Sequence, residues 1–267
     1  MERYRLKNII ILILTLLNVF LLGILLARKS DEVSLLRRTE AELVALFDAS
    51  GVTLEKDAIS WDTPPAAVTL SRSDAAERSA AAFLVGGELR SAVQGGTCSY
   101  SGSRGAVQFR SGGSFEAAGT LAAEDGMDFC RRFCKEFSCT EPVFVLDETL
   151  TGTATAVFRY EKRPVYNAAV TFRLEEGQVT AASGTLLSAE TVTPTSESSK
   201  DLLSAAGALT AFQQMRQAES TVASSIQETY LCYELQSASL TLESAWCIVT
   251  DIASYYVNCS TGVITVG

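Results

Sequence analysis

The sequence predicts an α+β chain: a single N-terminal transmembrane helix and stalk, then helix-plus-antiparallel-meander domains. Three observations carry that prediction. A nearly continuous apolar run occupies Asn8 to Ala27. Two amphipathic stretches with helical period, Leu121–Cys139 and Asp201–Ala218, are each followed by alternating segments punctuated by turn residues. This order occurs twice, over about 121–188 and 200–266. The period is too long for a solenoid repeat and suits paired α+β units.

Residues 1–29 read as a cytoplasmic lead and membrane anchor. The run Asn8–Ala27 is interrupted only by Thr15, Asn18 and Gly23. Twenty residues at about 1.5 Å each reach roughly 30 Å, the depth of a bilayer's hydrocarbon core. The run passes into Arg28 and Lys29 without the small-x-small site of a cleaved signal, so an anchor is preferred. Arg3, Arg5 and Lys7 precede it, and Asp31 and Glu32 temper the basic pair that follows. That asymmetry predicts a single-pass cell-membrane protein, N-terminus cytoplasmic and bulk of the chain extracellular. Ile11, Thr15, Asn18 and Leu22 follow 4-3-4 spacing and share one helix face. That face reads either as a docking seam for another membrane helix or as a lone amide satisfied by backbone or water; contacts of this kind contribute about 0.6–2 kcal/mol.

Residues 30–50 continue as a stalk helix, with apolar period through Leu36, Leu43 and Phe47 and a stop at Gly51. A first α+β lobe spans 51–119. It holds short strands around Pro64-Pro65, an alanine-rich helix from Asp74 to Leu84, and strands at Ser99–Tyr100, Val107–Arg110 and Ser114–Ala117. Residues 120–190 form a helix, with Phe129, Phe133 and Phe137 at i, i+4 and i+8, and strands at Pro142–Leu146, Thr153–Tyr160, Val165–Leu174 and Gln178–Leu187. A Thr/Ser/Pro-rich linker covers 191–199. Residues 200–267 repeat the plan, with strands at Ile226–Leu235, Ala245–Thr250, Ser254–Asn258 and Val263–Val266.

Composition narrows the chemistry. The chain has 267 residues and no histidine, which removes Ser-His-Asp triads, Cys-His pairs and histidine-based zinc sites. Setting aside residues 1–29, which carry five basic groups and one acid, leaves 17 basic against 30 acidic groups. Such a domain lacks the basic footprint of a nucleic-acid binder. Cys130, Cys134 and Cys139 have C-x3-C-x4-C spacing. Zinc would need a fourth ligand from Cys98 or a carboxylate, and packing of Cys130 and Cys134 as small core residues is the preferred reading. Ser196 or Ser198 beside Lys200 is better read as a helix cap than as a catalytic dyad. No cofactor, metal or enzyme signature is expected.

The stretch from Ser244 to Ile264, SAWCIVTDIASYYVNCSTGVI, resembles the closing motif of YycI-type two-component regulatory proteins and related PepSY-like domains. Trp246, Ile248, Tyr255, Tyr256, Val257, Asn258, Thr261 and Gly262 match. The family commonly has proline where Ser244 stands and arginine near Cys247, so any contact made by that arginine is lost here. Phe158, Tyr160, Pro164-Val165-Tyr166-Asn167 and Gly177 are similar to the family's internal strand pattern, and the N-terminal lead, the span ending Asn18-Val19-Phe20-Leu21-Leu22 and the Gly51-Val52 exit to its N-terminal plan. Strand spacing makes Trp246, Tyr255 and Tyr256 packing residues first.

The resemblance implies a membrane-anchored, non-enzymatic regulator of a sensor histidine kinase of the WalK type, controlling cell-wall homeostasis beside a YycH-like sister protein. The seam residues Ile11, Thr15, Asn18 and Leu22 would carry partner contact. The alternative is an exported PepSY-like inhibitor or chaperone of a cell-wall hydrolase or peptidase, acting through a sheet surface or edge.

Overall fold

The computed structural model describes residues 17, 18, 20, 22, 34–122, 125–188, 192–194, 202–219 and 223–267. Residues 34–48 form helix α1, whose Leu43 and Phe47 are buried while Leu35 and Leu36 face outward. Gly51 at φ +76° ends it, and the Val52 N–H donates to Phe47 O at 3.0 Å. That left-handed residue with its six-to-one bond is a Schellman exit, and it delivers the chain directly to β1, Thr53–Leu54. A 3₁₀ turn at Lys56–Ala58 and β2, Val68–Leu70, follow. β1 and β2 do not pair with one another. Both join the C-terminal strands.

Three copies of one plan then follow, each a helix and four consecutive antiparallel strands. In the first, α2 (Asp74–Val85) is capped by Ser73, whose side chain accepts from the Ala76 N–H, and is followed by β3 (Arg90–Gln94), β4 (Thr97–Gly102), β5 (Gly105–Phe109) and β6 (Ser114–Ala122). The second has α3 (Gly126–Glu136), β7 (Val143–Leu146), β8 (Gly152–Tyr160), β9 (Arg163–Glu175) and β10 (Gln178–Thr185). After β11 (Val192–Pro194), which pairs with β2, the third has α4 (Ala205–Glu219), β12 (Ser225–Gln236), β13 (Thr241–Thr250), β14 (Ser254–Asn258) and β15 (Ile264–Val266).

The first two meanders join through β6 and β10 into an antiparallel sheet ordered β7-β8-β9-β10-β6-β5-β4-β3. α2 and α3 cover one of its faces. Phe83 of α2 meets Phe129, Phe133 and Phe137 of α3 with ring centroids 5.1–5.8 Å apart, over Phe115 and Phe172 of the sheet. The third meander makes a second sheet, ordered β1-β12-β13-β14-β15, with β2 and β11 continuing the β14 edge of β13. α4 and the end of α1 cover it, stacking Phe47 on Phe212 at 6.5 Å above Trp246, Ile248, Tyr255 and Val257. A parallel pairing of Tyr233 in β12 with Val165 in β9 makes the two sheets continuous.

Several boundaries depart from the sequence reading. Leu121 and Ala122, expected to begin a helix, instead finish β6, because both are buried in the sheet core and Ala122 pairs with Val179 of β10. The helix waits for its cap: Asp125 Oδ1 accepts from the Asp128 N–H at 3.0 Å. β3 was not expected, because every residue in it is exposed and the buried face that makes alternation legible is missing. α4 starts later than Asp201, where Ser204 Oγ accepts from the Gly207 N–H at 3.3 Å; Ser196, Ser198 and Lys200 lie outside the described residues.

Among the described residues, no helix is long and apolar enough to cross a membrane. Most of the run Asn8–Ala27, Ile11 and Thr15 included, lies outside them. Asn18 and Leu22 are helical and exposed.

Candidate functional site

The C-terminal motif occupies both faces of the second sheet, in the alternation a strand imposes. Trp246 and Tyr255 point to the helix side. Trp246 is fully buried, and its indole N–H donates to Leu203 O at 2.9 Å, tying the entry of α4 to β13. Tyr255 is 4.8 Å from the Phe212 ring. Tyr256 points to the opposite face. There it stacks on Tyr166 of β9 with ring centroids 3.8 Å apart and planes 8° from parallel. The Tyr166 hydroxyl lies 3.1 Å from Thr265 Oγ1 on β15.

Asn258 and Gly262 build the β14–β15 turn. Asn258 Oδ1 accepts from the Ser260 and Thr261 N–H groups at 2.9 and 3.0 Å, while Gly262 at φ +71° donates its N–H to Asn258 O at 2.9 Å. The other end of the Asn258 amide donates to Glu234 Oε2 at 2.8 Å and Glu243 Oε2 at 2.7 Å. Those two carboxylates face each other directly across β12 and β13. Like charges in that register repel, and the shared amide offsets the repulsion.

A second bridge crosses the same junction. The Asn167 side chain donates to Leu235 O at 3.0 Å and accepts from the Leu235 N–H at 2.8 Å, so it imitates a strand backbone and lengthens the contact between β9 and β12. Beneath the stacked rings lie Cys232, Ala245 and Cys247, all buried, with Tyr230 beside them. Burial raises the Cys247 thiol pKa, against the lowering influence of the neighbouring Tyr230, Ser254 and Tyr256 hydroxyls. Burial likewise pushes the Tyr166 and Tyr256 phenols up to about 12. The seam therefore offers neutral donors and stacked rings, groups suited to packing and recognition.

Both residues that depart from the motif resembled in sequence are accommodated. Ser244 donates its hydroxyl to Pro65 O at 2.6 Å, holding the Pro64-Pro65 segment on β13. Cys247 is fully buried, and an unpaired arginine charge would be costly there.

Elsewhere, an open cleft of about 560 Å³ lies between α2, the exit of α3 and the β8–β9 hairpin, lined by Ala76, Ser79, Phe137, Ser138, Arg159 and Glu161. Cys130 and Cys134 are buried in the first core, as small hydrophobes would be. Of the seam, sequence reading missed the Glu234–Glu243 pair and the docking of Tyr166 and Asn167. The first was accessible: a turn at 237–240 fixes the hairpin register and sets 234 opposite 243. The second depends on two distant strands meeting, which leaves no local signal.

No protein-family model matches the chain, and no curated protein matches it. Among solved structures, it is similar to the crystal structure of YycH from Bacillus subtilis, with 12% sequence identity and a TM-score of 0.33. The match covers 63% of this chain and 43% of that one, so the chain spans less than half of that structure's length.

Proposed function

We propose that the chain is a membrane-anchored, non-enzymatic regulator of a sensor histidine kinase of the WalK type, working beside a YycH-like protein. The observation that carries this reading is the seam. The internal pattern Pro164–Asn167 and the closing motif Trp246–Gly262 are far apart in sequence, yet Tyr166 stacks on Tyr256. Two patches chosen for their resemblance to YycI-type proteins are parts of one junction. The apolar run with its Asn18 face adds a route to a membrane partner. Regulation then works through unequal affinity for the kinase's two signalling states.

The test is photo-crosslinking from positions 11, 15, 18 and 22 in native membranes, with mass spectrometry of the adduct. A sensor kinase in the adduct supports the reading. Adducts with lipid alone, and kinase output unchanged by Asn18→Leu, would overturn it. The exposed edge strand β7, with Val143 and Val145 turned outward at 67% and 69% exposure, favours the second reading, an exported inhibitor or chaperone of a cell-wall hydrolase that pairs along a sheet edge. Capture of a hydrolase by a Val143→Lys-sensitive surface would favour it.

A further inference from the structure

Helix α3 ends as α1 does, but brings a different pair of side chains together. Phe137 is its last residue before the turn, Ser138 takes φ +54°, and the Cys139 N–H reaches back to Cys134 O at 2.8 Å. This is the six-to-one bond of a Schellman motif. In that motif the residue after the left-handed position packs on the residue five before it. In α1 those positions hold Val52 and Phe47, two hydrocarbons in the C-terminal core. In α3 they hold Cys139 and Cys134.

We propose that Cys134 and Cys139 form a dithiol–disulfide pair, oxidised by an external small disulfide into a covalent staple across the exit of α3. The motif sets the two residues side by side, and the Cys139 thiol donates to Phe137 O at 3.6 Å. The interaction between the two thiols holds Cys134 below the ordinary thiol range and pushes Cys139, its partner, up. The pair thus gives up its first proton as a unit. Cys134 is buried, whereas Cys139 is half-buried and offers the way in.

The exchange is balanced. A thiolate of the pair attacks one sulfur of the external disulfide, forming a mixed disulfide and releasing one thiol. The second cysteine then attacks the protein sulfur of that mixed disulfide, closes the Cys134–Cys139 bond and releases the other thiol. Two electrons pass to the external disulfide, and the pair's two protons leave on the released thiols.

The other cysteines are placed differently. Cys130 precedes Cys134 by one helical turn, where Cβ bonds run alongside one another instead of converging. Cys232 donates to Ala245 O at 3.4 Å, and Cys247 is held among hydroxyls. The staple also has a structural consequence. The Arg159 N–H donates to Ser138 O at 2.7 Å, and Cys139 bridges to Phe158, so the stapled turn is the one that ties α3 to β8 and walls the cleft. The pairing depends on the helix exit alone and is independent of the function proposed above.

The test uses the full chain in detergent micelles, equilibrated over a series of oxidised to reduced glutathione ratios, quenched with iodoacetamide and digested with trypsin. Cleavage after Lys135 separates the two cysteines, so oxidation yields peptide 133–135 linked to peptide 136–159. The expected result is joint loss of alkylation at Cys134 and Cys139, matched by growth of that linked peptide, with Cys130 and Cys247 still alkylated after denaturation. Cys130→Ser should leave the linked peptide unchanged, and Cys139→Ser should abolish it. Full alkylation of both cysteines across the series in the folded chain would overturn the proposal. So would glutathione adducts without the linked peptide, or linkage of Cys134 to another cysteine.

Discussion

Ser138 holds a left-handed backbone without being glycine, at φ +54°. An L side chain there costs about 1 kcal/mol, because its Cβ crowds the following carbonyl. Ser138→Gly should therefore stabilise the chain by roughly that amount, read as a higher urea midpoint at constant slope. Asn167 tests the opposite sign. Its two bonds to Leu235 are part-buried, so Asn167→Ala should cost about 1–2 kcal/mol. Asp147 adds a pH term. Hydrogen bonds from the Thr149 hydroxyl and from the Thr151 and Thr149 N–H groups hold its carboxyl below its ordinary 3.8. A depressed carboxylate contributes fully above the unfolded value and loses that contribution as pH falls through the folded one. The Thr149 amide resonance should shift only below pH 3.8, and Asp147→Asn should abolish that shift. At this scale, burial was legible and partnership was not. Alternation alone sends Trp246 and Tyr256 to opposite faces, but nothing near Tyr256 names Tyr166 as its stacking partner.

Helix α1 shows how an element can be read correctly and still be incomplete. Its period through Leu43 and Phe47 and its stop at Gly51 follow from the sequence, which reads it as a stalk continuing the membrane helix. In the structure its last turns form part of a core. Phe47 is fully buried against Phe212, and Arg216 of α4 donates to Ser50 O at 3.0 Å and to Ala223 O at 3.2 Å. Phe47→Ala should cost about 3–5 kcal/mol, because it empties a ring-sized site between two helices and a sheet. Hydrogen exchange should quicken first in β12 to β14, with β8 and β9 little changed. Equal quickening in both sheets would contradict that assignment. The helix cue failed at Leu121 because apolar residues there serve a strand that ends just before a cap. It failed at β3 because an edge strand with no buried face has no period to read.

The whole molecule rests on the junction between its two sheets. Each sheet has its own helices and core, and a smaller third core lies between them, where Val165, Ala168, Tyr233 and Leu242 are buried and Tyr160 meets Tyr233 at 5.5 Å. The helix-plus-meander repeat was visible in sequence twice and is present three times; the copy holding β3 was hidden by that strand's exposure. How the copies join was not visible at all. β6 with β10 and β9 with β12 are encounters between strands distant in sequence, settled by which edges remain free once each helix covers its face. The seam residues act at the second of these encounters. Removing the Tyr166 ring together with the Asn167 amide takes away the stack and the imitation strand while leaving both main cores intact. The Tyr166→Ala/Asn167→Ala chain should then unfold in two steps, the β12–β15 sheet separating from the first, where the parent chain should unfold in one. Calorimetry reads this as a split transition, and near-UV dichroism in the tryptophan band follows Trp61 and Trp246, both packed in the core of the second sheet. A single transition shifted to lower temperature would mean that the third core couples the sheets without the seam. The resemblance patches would then mark a surface that the fold does not need.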